Sequence, residues 1–313
     1  MTTPFFAKNP HNFLIWNWLS IKTIIYTAEL PLKSKTIDTI LPPIKDPDIS
    51  NTLSKIVDRL QPLLGICLKI SGLIKALELL PSPEKIVFPE LIKNEIYDDL
   101  CKQMREKKEI LLPLGWLLPK PYNGHCILCK INAPTQADAN GGRLQIKLFN
   151  HIHTVSDKDN PHSGIPTSYT SSSEADLSTI LNDAFKILPL QIPENLLLRL
   201  RLSEQEKSEG KISRKTAIFL CQVHHTKLGR ERMENKEESP LDYIPFKAGP
   251  ICVPSAFRML LYTLAKEEAE KSKKPLSFHK ELKNSCECLM GQFKDYTMAV
   301  FQGLGLDFPL LKA

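Results

Sequence analysis

The sequence predicts a mostly helical chain in which a compact middle part, rich in histidine and cysteine, separates two helical parts. Apolar residues recur with helical spacing over 52–80 and again over 89–104. The pattern changes after Pro119, and the segment from there to residue 226 holds six of the eight histidines. Two further helical patterns follow over 256–274 and 278–301. We therefore expect a helical N-terminal domain, a middle domain and a helical C-terminal region, at residues 1–118, 119–235 and 236–313.

The N-terminal pattern is interrupted by prolines. Because proline lacks the N–H that an inner helical position donates, Pro62 predicts a kink or a break in the first helix. Pro81 predicts its end. Cys67 and Cys101 fall on the apolar stripes of the two helices, and we interpret them as small core residues.

The overall composition is that of a folded protein without a dominant charge. Of the 313 residues, 42% are hydrophobic and 24% are charged, and the formal net charge is +6. The chain has 13 glycines against 24 prolines, and neither glycine-rich motif that cradles phosphates occurs in it. Nucleotide binding through such a loop is therefore excluded.

Positive charge is concentrated between residues 211 and 232. Six basic residues in this segment accompany the single acid Glu231. A run of this kind is typical of a surface that contacts the phosphates of a nucleic acid, and also of an ordinary solvated surface. The residues that we predict to bind nucleic acid are Lys211, Arg214, Lys215, Lys227, Arg230 and Arg232.

We expect a cytoplasmic protein without a membrane partner. The apolar stretch over 13–26 is shorter than the roughly 20 residues that span a bilayer. It is also not followed by a signal for cleavage. Eight cysteines are too few for a disulfide scaffold in a chain of 313 residues, so cysteine motifs with regular spacing indicate metal binding before disulfides.

Two short motifs in the middle domain have the spacing of zinc ligands. Cys126-x-x-Cys129 offers two thiolates, and Cys221-x-x-His224 offers a thiolate and an imidazole. Each motif fits on one tight turn, a zinc knuckle, and the two together complete a tetrahedral Cys3His site. The alternative is that Cys129 and Cys221 are buried core thiols and that the histidines are surface residues.

With the segment between them, these motifs resemble the zinc-supported type of HNH endonuclease. That family has a Cys-x-x-Cys, then an Asp-His-Ile segment ending in Val-Ser, then a Cys-x-x-Cys-His. This chain has Cys126-x-x-Cys129, then Asn150-His151-Ile152 ending in Val155-Ser156, then Cys221-x-x-His224-His225. The resemblance implies a ββα-metal finger, and therefore the fold class α+β, mostly α. It also implies an insertion at about 157–210.

The resemblance also implies a role for each matched residue. His151 would be the general base and Thr216 the residue that orients it. His225 and Asn150 would hold a catalytic Mg²⁺ or Mn²⁺ ion. The four ligands of a structural Zn²⁺ ion would be Cys126, Cys129, Cys221 and His224.

Three functions stay open at this point. The first is a metal-dependent DNA endonuclease of the HNH type. In it, Asp157, Asp159 or Asn160 would supply the metal ligand that is missing because Asn150 stands where the family has an acid. The second is a zinc-stabilised nucleic-acid-binding or scaffold protein without catalysis, which Asn150 favours. The third is a helical interaction protein without metal. DNA is the expected partner, with a protein partner for the helical regions.

Overall fold

The computed structural model describes residues 46–78, 88–117, 125–133, 143–149, 167–170, 177–179, 181, 190–191, 231–232, 241 and 252–303. These residues form an α+β structure that is mostly helical, as the sequence predicts. The helices are α1 (Pro47–Glu78), α2 (Phe88–Lys107), α3 (Cys252–Lys271) and α4 (Leu276–Gly303). The strands are β1 (Glu109–Leu117), β2 (His125–Asn132), β3 (Gln145–Phe149), β4 (Thr167–Thr170), β5 (Leu190–Gln191) and β6 (Glu231–Arg232).

Helix α1 begins at Pro47, where its first turn is capped, and it contains a second proline, Pro62. The side-chain Oδ1 of Asp46 accepts a hydrogen bond from the N–H of Asp48 at 2.8 Å, which caps the first turn. Pro62 lies inside the helix without breaking it, so the predicted break does not occur. Since Pro62 has no N–H, the carbonyl of Asp58 loses its helical partner, and the Nζ of Lys107 donates to it at 2.9 Å instead.

Strand β1 lies within residues 1–118, for which the sequence predicts a mostly helical domain. Lys108 adopts a left-handed conformation with φ of 60°, which ends α2, and β1 starts at the next residue. The strand pairs with β2 along most of its length, from Glu109 opposite Asn132 to Trp116 opposite His125. The sequence of β1 is a short, continuous apolar run, whose spacing does not distinguish a strand from a helix. Pairing with β2 makes this run a strand.

The strands form one six-stranded sheet in the order β5-β1-β2-β3-β4-β6. All neighbours are antiparallel except β1 and β5, which are parallel. Because β1 and β2 pair across residue 118, the sheet crosses the predicted boundary between the first two domains. Strands β4 and β5 lie within 157–210, so these parts of the predicted insertion belong to the sheet.

The three central strands are buried on both faces. On one face, Leu111 and Leu128 join a core with α1, α3 and α4, to which Leu60, Phe257 and Leu282 contribute. On the opposite face lie side chains that are at most 1% exposed, namely Ile110, Leu112, Ile127, Cys129, Ile146 and Leu148. None of the described helices is long and apolar enough to cross a membrane.

Helices α3 and α4 form a hairpin with a tight turn. Lys273 has a φ of 50° and donates its N–H to the carbonyl of Glu270, while Lys274 donates to Ala269, both at 2.9 Å. This pair of bonds is a Schellman motif, which satisfies carbonyls at the end of α3. Inside the hairpin, the buried hydroxyl of Tyr262 donates to the carboxylate of Glu287. Burial and this contact raise the pKa of Tyr262.

Candidate functional site

Three of the residues predicted to carry chemistry lie within the described ranges: Cys126 and Cys129 on β2, and Arg232 on β6. The others lie outside them. These are Asn150, His151, Lys211, Arg214, Lys215, Thr216, Cys221, His224, His225, Lys227 and Arg230.

The Cys126-x-x-Cys129 motif lies inside a regular strand and not in the tight turn that we expected. Cys126 is paired with Gly115, and Cys129 with Leu112. Positions on a strand alternate between the two faces, so positions three apart belong to opposite faces. A strand therefore does not bring two such positions to one metal ion as a zinc knuckle does.

The surroundings of Cys129 are those of a core thiol. It lies between Leu112 of β1 and Leu148 of β3 in the strand register, and all three side chains are at most 1% exposed. Burial raises the pKa of the Cys129 thiol, whereas zinc binds the thiolate. In the described strand Cys129 therefore has the surroundings of a buried core thiol, which is the alternative that the sequence left open. The other two predicted zinc ligands, Cys221 and His224, lie outside the described residues.

Strand β3 ends one residue before the Asn150-His151 pair. Its last residue, Phe149, is buried and lies opposite Leu128. Strand β4 returns antiparallel to β3, from Thr167 opposite Leu148 to Thr170 opposite Gln145. The segment that carries His151 thus connects two neighbouring strands.

Strand β6 ends the described sheet on the side opposite β5. Arg232 is paired with Tyr169, and Glu231 with Thr170. The basic run of 211–232 therefore ends in the edge strand of the sheet.

Sequence analysis missed a cluster of charged side chains between the sheet and two helices. We call it the ion network: Arg59, Glu109, Lys130, Lys147, Glu267 and Glu268. Arg59 lies at its centre and contacts three carboxylates from β1 and α3. Its Nε and one terminal nitrogen bind Glu109 at 2.7 and 2.5 Å, and its other terminal nitrogen binds Glu268 at 2.9 Å.

The second cation of the ion network is Lys130, whose side chain is 2% exposed. Its ammonium group donates to Glu267 and lies 3.5 Å from Glu109. Lys147 approaches Glu267 to 4.0 Å. A lysine within the apolar sequence Ile127 to Ile131 is the signal that could have indicated a buried ion pair, because an unpaired buried ammonium is costly.

The contacts in the ion network shift the pKa values of Glu267 and Arg59. Burial by itself would raise the pKa of Glu267, but the charges of Lys130, Lys147 and Arg59 lower it to about 2. Burial by itself would lower the pKa of Arg59, but hydrogen bonds and charges from Glu109 and Glu267 raise it. Glu267 and Arg59 are therefore both ionised at neutral pH.

The carboxylates of the ion network are engaged by cations from neighbouring elements. Each of its three carboxylates is bound by Arg59 or Lys130. Among the described residues no group of three histidine, cysteine or acidic side chains has an arrangement suited to a metal ion. The network joins the strands β1, β2 and β3 to the helices α1 and α3. Of these strands, β3 ends directly before the predicted Asn150-His151 pair.

Comparison of the chain with protein families, with curated proteins and with solved structures gives no match.

Proposed function

We propose that this protein is a nucleic-acid-binding scaffold protein without catalysis, located in the cytoplasm. The observation that carries the proposal is the position of Arg232, which joins the basic run of 211–232 to the edge of the sheet through β6. Basic residues fixed to a rigid sheet contact the phosphate backbone in a defined orientation.

The burial of Cys129 supports a protein without the HNH mechanism. In that mechanism the Cys126-x-x-Cys129 motif holds part of the finger through zinc. Here Cys129 has aliphatic neighbours on both sides, Leu112 and Leu148, and lies in a strand that apolar packing and backbone pairing already hold. The sheet therefore has a source of stability that does not require the metal.

Binding of labelled DNA and RNA at two salt concentrations tests the proposal. We expect binding to single-stranded or double-stranded nucleic acid that weakens strongly between 50 and 200 mM salt, as phosphate contacts do by roughly 10³-fold or more when six or more are made. Replacing Lys227, Arg230 and Arg232 by glutamine should weaken binding. The matched control replaces Lys69, Lys102 and Lys280, which lie on helices, and should leave it nearly unchanged. Absence of binding by the unaltered protein at 50 mM salt would reject the proposal.

A second candidate is the HNH-type DNA endonuclease with a ββα-metal finger and a structural Zn²⁺ ion. It is favoured by the position of Asn150-His151 immediately after β3, because the resemblance implies a base histidine at the end of a strand. In this candidate His151 takes the proton from water, Thr216 orients it, and Asn150 and His225 hold Mg²⁺ or Mn²⁺.

Cleavage of plasmid DNA in the presence of Mg²⁺ or Mn²⁺ decides between the two candidates. The endonuclease requires cleavage that His151→Ala abolishes and Asn150→Asp increases, because a carboxylate binds a hard cation better than an amide does. The scaffold protein requires that neither the unaltered protein nor Asn150→Asp cleaves DNA.

A further inference from the structure

We infer that three exposed lysines around the ion network form a second contact surface for the phosphate backbone of a nucleic acid. The residues are Lys55 of α1, Lys108 between α2 and β1, and Lys271 of α3, and we call them the lysine rim. The inference rests on the proposed function, because it names a further surface by which the same partner is bound.

The rim lysines are far apart in sequence, and each is next to a member of the ion network. Lys55 precedes Arg59 by one helical turn, so both lie on the same side of α1. Lys108 directly precedes Glu109, which Arg59 binds at 2.7 Å. The Nζ of Lys271 lies 2.7 Å from Glu268, which Arg59 binds at 2.9 Å. Each rim lysine is thus next to Arg59 or to one of its carboxylate partners.

The carboxylates of the ion network neutralise the rim only in part, through the contact of Glu268 with Lys271. Arg59 binds Glu109 and Glu268, and Lys130 binds Glu267, so these three negative charges are balanced mainly from inside. Lys271 shares Glu268 with Arg59, and its side chain remains 64% exposed. Within the described ranges, neither Lys55 nor Lys108 makes an ion pair with a carboxylate, and both are exposed.

The exposed acids nearest to the rim lysines in the sequence, Asp58, Glu106 and Glu270, equal them in number but lie beside other cations. Glu106 lies 4.0 Å from Lys102, and Glu270 lies 3.8 Å from Lys266, so each has its own cation. Asp58 is exposed next to Arg59, and Lys107, whose Nζ binds the Asp58 carbonyl, adds a further positive charge there. The surface around the ion network therefore carries an excess of positive charge.

The chemistry of the rim fits phosphodiester groups. Lysine ammonium groups act as compact point charges that bind phosphate oxygens without reading bases. The rim lysines belong to three parts of the chain whose backbones the ion network joins, and their ammonium groups are exposed to solvent. We therefore expect a contact that is independent of base sequence and sensitive to salt.

The test compares two triple variants of the full chain by equilibrium binding to labelled double-stranded DNA across a salt series. The rim variant carries Lys55→Gln, Lys108→Gln and Lys271→Gln. The control variant carries Lys69→Gln, Lys102→Gln and Lys280→Gln, which removes the same charge from exposed lysines outside the rim. Thermal unfolding monitors whether each variant is folded.

For the rim variant we expect the slope of log K against log salt to fall in magnitude by about 2 to 3, since each lost phosphate contact removes about 0.9 from it. We expect at least a tenfold loss of affinity at low salt, against less than twofold for the control. Equal slopes in the rim variant and the unaltered protein would overturn the inference while leaving the proposed function intact. Equal losses in both variants would also overturn it, since charge alone would then explain binding.

Two further outcomes separate this inference from its alternatives. If the unaltered protein binds no nucleic acid, the proposed function fails, and the inference fails with it. Vesicles containing phosphatidylserine serve as a second anionic probe. Binding to these vesicles that depends on the rim, without a change in DNA binding, would overturn the inference in favour of a lipid surface.

Discussion

Lys130 on β2 and Lys147 on β3 lie directly opposite each other in the strand register, and the carboxylate of Glu267 contacts both of their ammonium groups. Like charges in opposite positions destabilise a pair of strands. Glu267 comes from α3, more than 100 residues later in the chain, and removes this repulsion. The pairing of β2 with β3 and the packing of α3 on the sheet therefore stabilise each other.

Glu267→Gln should destabilise the protein by about 3 kcal/mol, because it leaves Lys130 buried without its closest anion. The measurement is the free energy of unfolding in urea. The matched control is Glu270→Gln on the same helix, whose carboxylate is 54% exposed and lies 3.8 Å from Lys266. The control should cost less than about 1 kcal/mol. Equal effects of the two changes would show that the network contributes no more than a surface pair.

The stability should also depend on pH through Glu267. Its pKa in the folded protein is about 2, below the ordinary value of 4.5, so ionised Glu267 favours folding. This contribution is complete above pH 4.5 and is lost as the pH falls towards 2. Between these pH values the unaltered protein should therefore lose stability more steeply than Glu267→Gln does. Parallel curves from urea unfolding at several pH values would contradict the assignment.

Cys129→Val and Cys129→Ser should differ in stability. Valine fits an aliphatic row and should change the free energy of unfolding by less than about 1 kcal/mol. Serine places a hydroxyl between Leu112 and Leu148 and should cost about 1 to 3 kcal/mol. Zinc per chain, measured by elemental analysis, should be the same in Cys129→Val and the unaltered protein. A loss of bound zinc in Cys129→Val would contradict this prediction and would show that Cys129 is a zinc ligand.

The contact of Lys107 with the Asp58 carbonyl should depend on Pro62. Lys107→Met should cost about 1 kcal/mol, the typical contribution of one hydrogen bond. In a Pro62→Ala background, the N–H of residue 62 satisfies the Asp58 carbonyl, so Lys107→Met should then cost almost nothing. A double-mutant cycle of thermal unfolding measures the difference. A cost that is independent of residue 62 would show that Lys107 acts in another way.

Lys273→Gly should stabilise the protein. The left-handed conformation costs roughly 1 kcal/mol for a residue with a Cβ atom and almost nothing for glycine. The control is Lys280→Gly, in the exposed part of α4, which should cost about 1 kcal/mol because glycine is a poor helix former. Calorimetry should show opposite shifts in the melting temperature. A lower melting temperature for Lys273→Gly would mean that the lysine side chain stabilises the turn by more than the strain costs.

The apolar patterns of the sequence were sufficient to locate the four long helices. Helical spacing predicted α1 and α2 to within a few residues, and likewise α3 and α4. Proline was less informative, because Pro62 stays inside α1 and its missing hydrogen bond is compensated by Lys107 from α2. This hydrogen bond joins two different helices, so the local sequence around Pro62 does not predict it.

For the candidate site, the sequence determined which residues have the chemistry of metal ligands and phosphate contacts, and it did so from spacing alone. Only the tertiary structure decided that Cys129 lies between Leu112 and Leu148 in a strand, because strand pairing depends on residues distant in the chain. It also decided that Arg59, Glu109 and Glu267 meet, since their mutual attraction depends on burial and distance and leaves no period in the sequence.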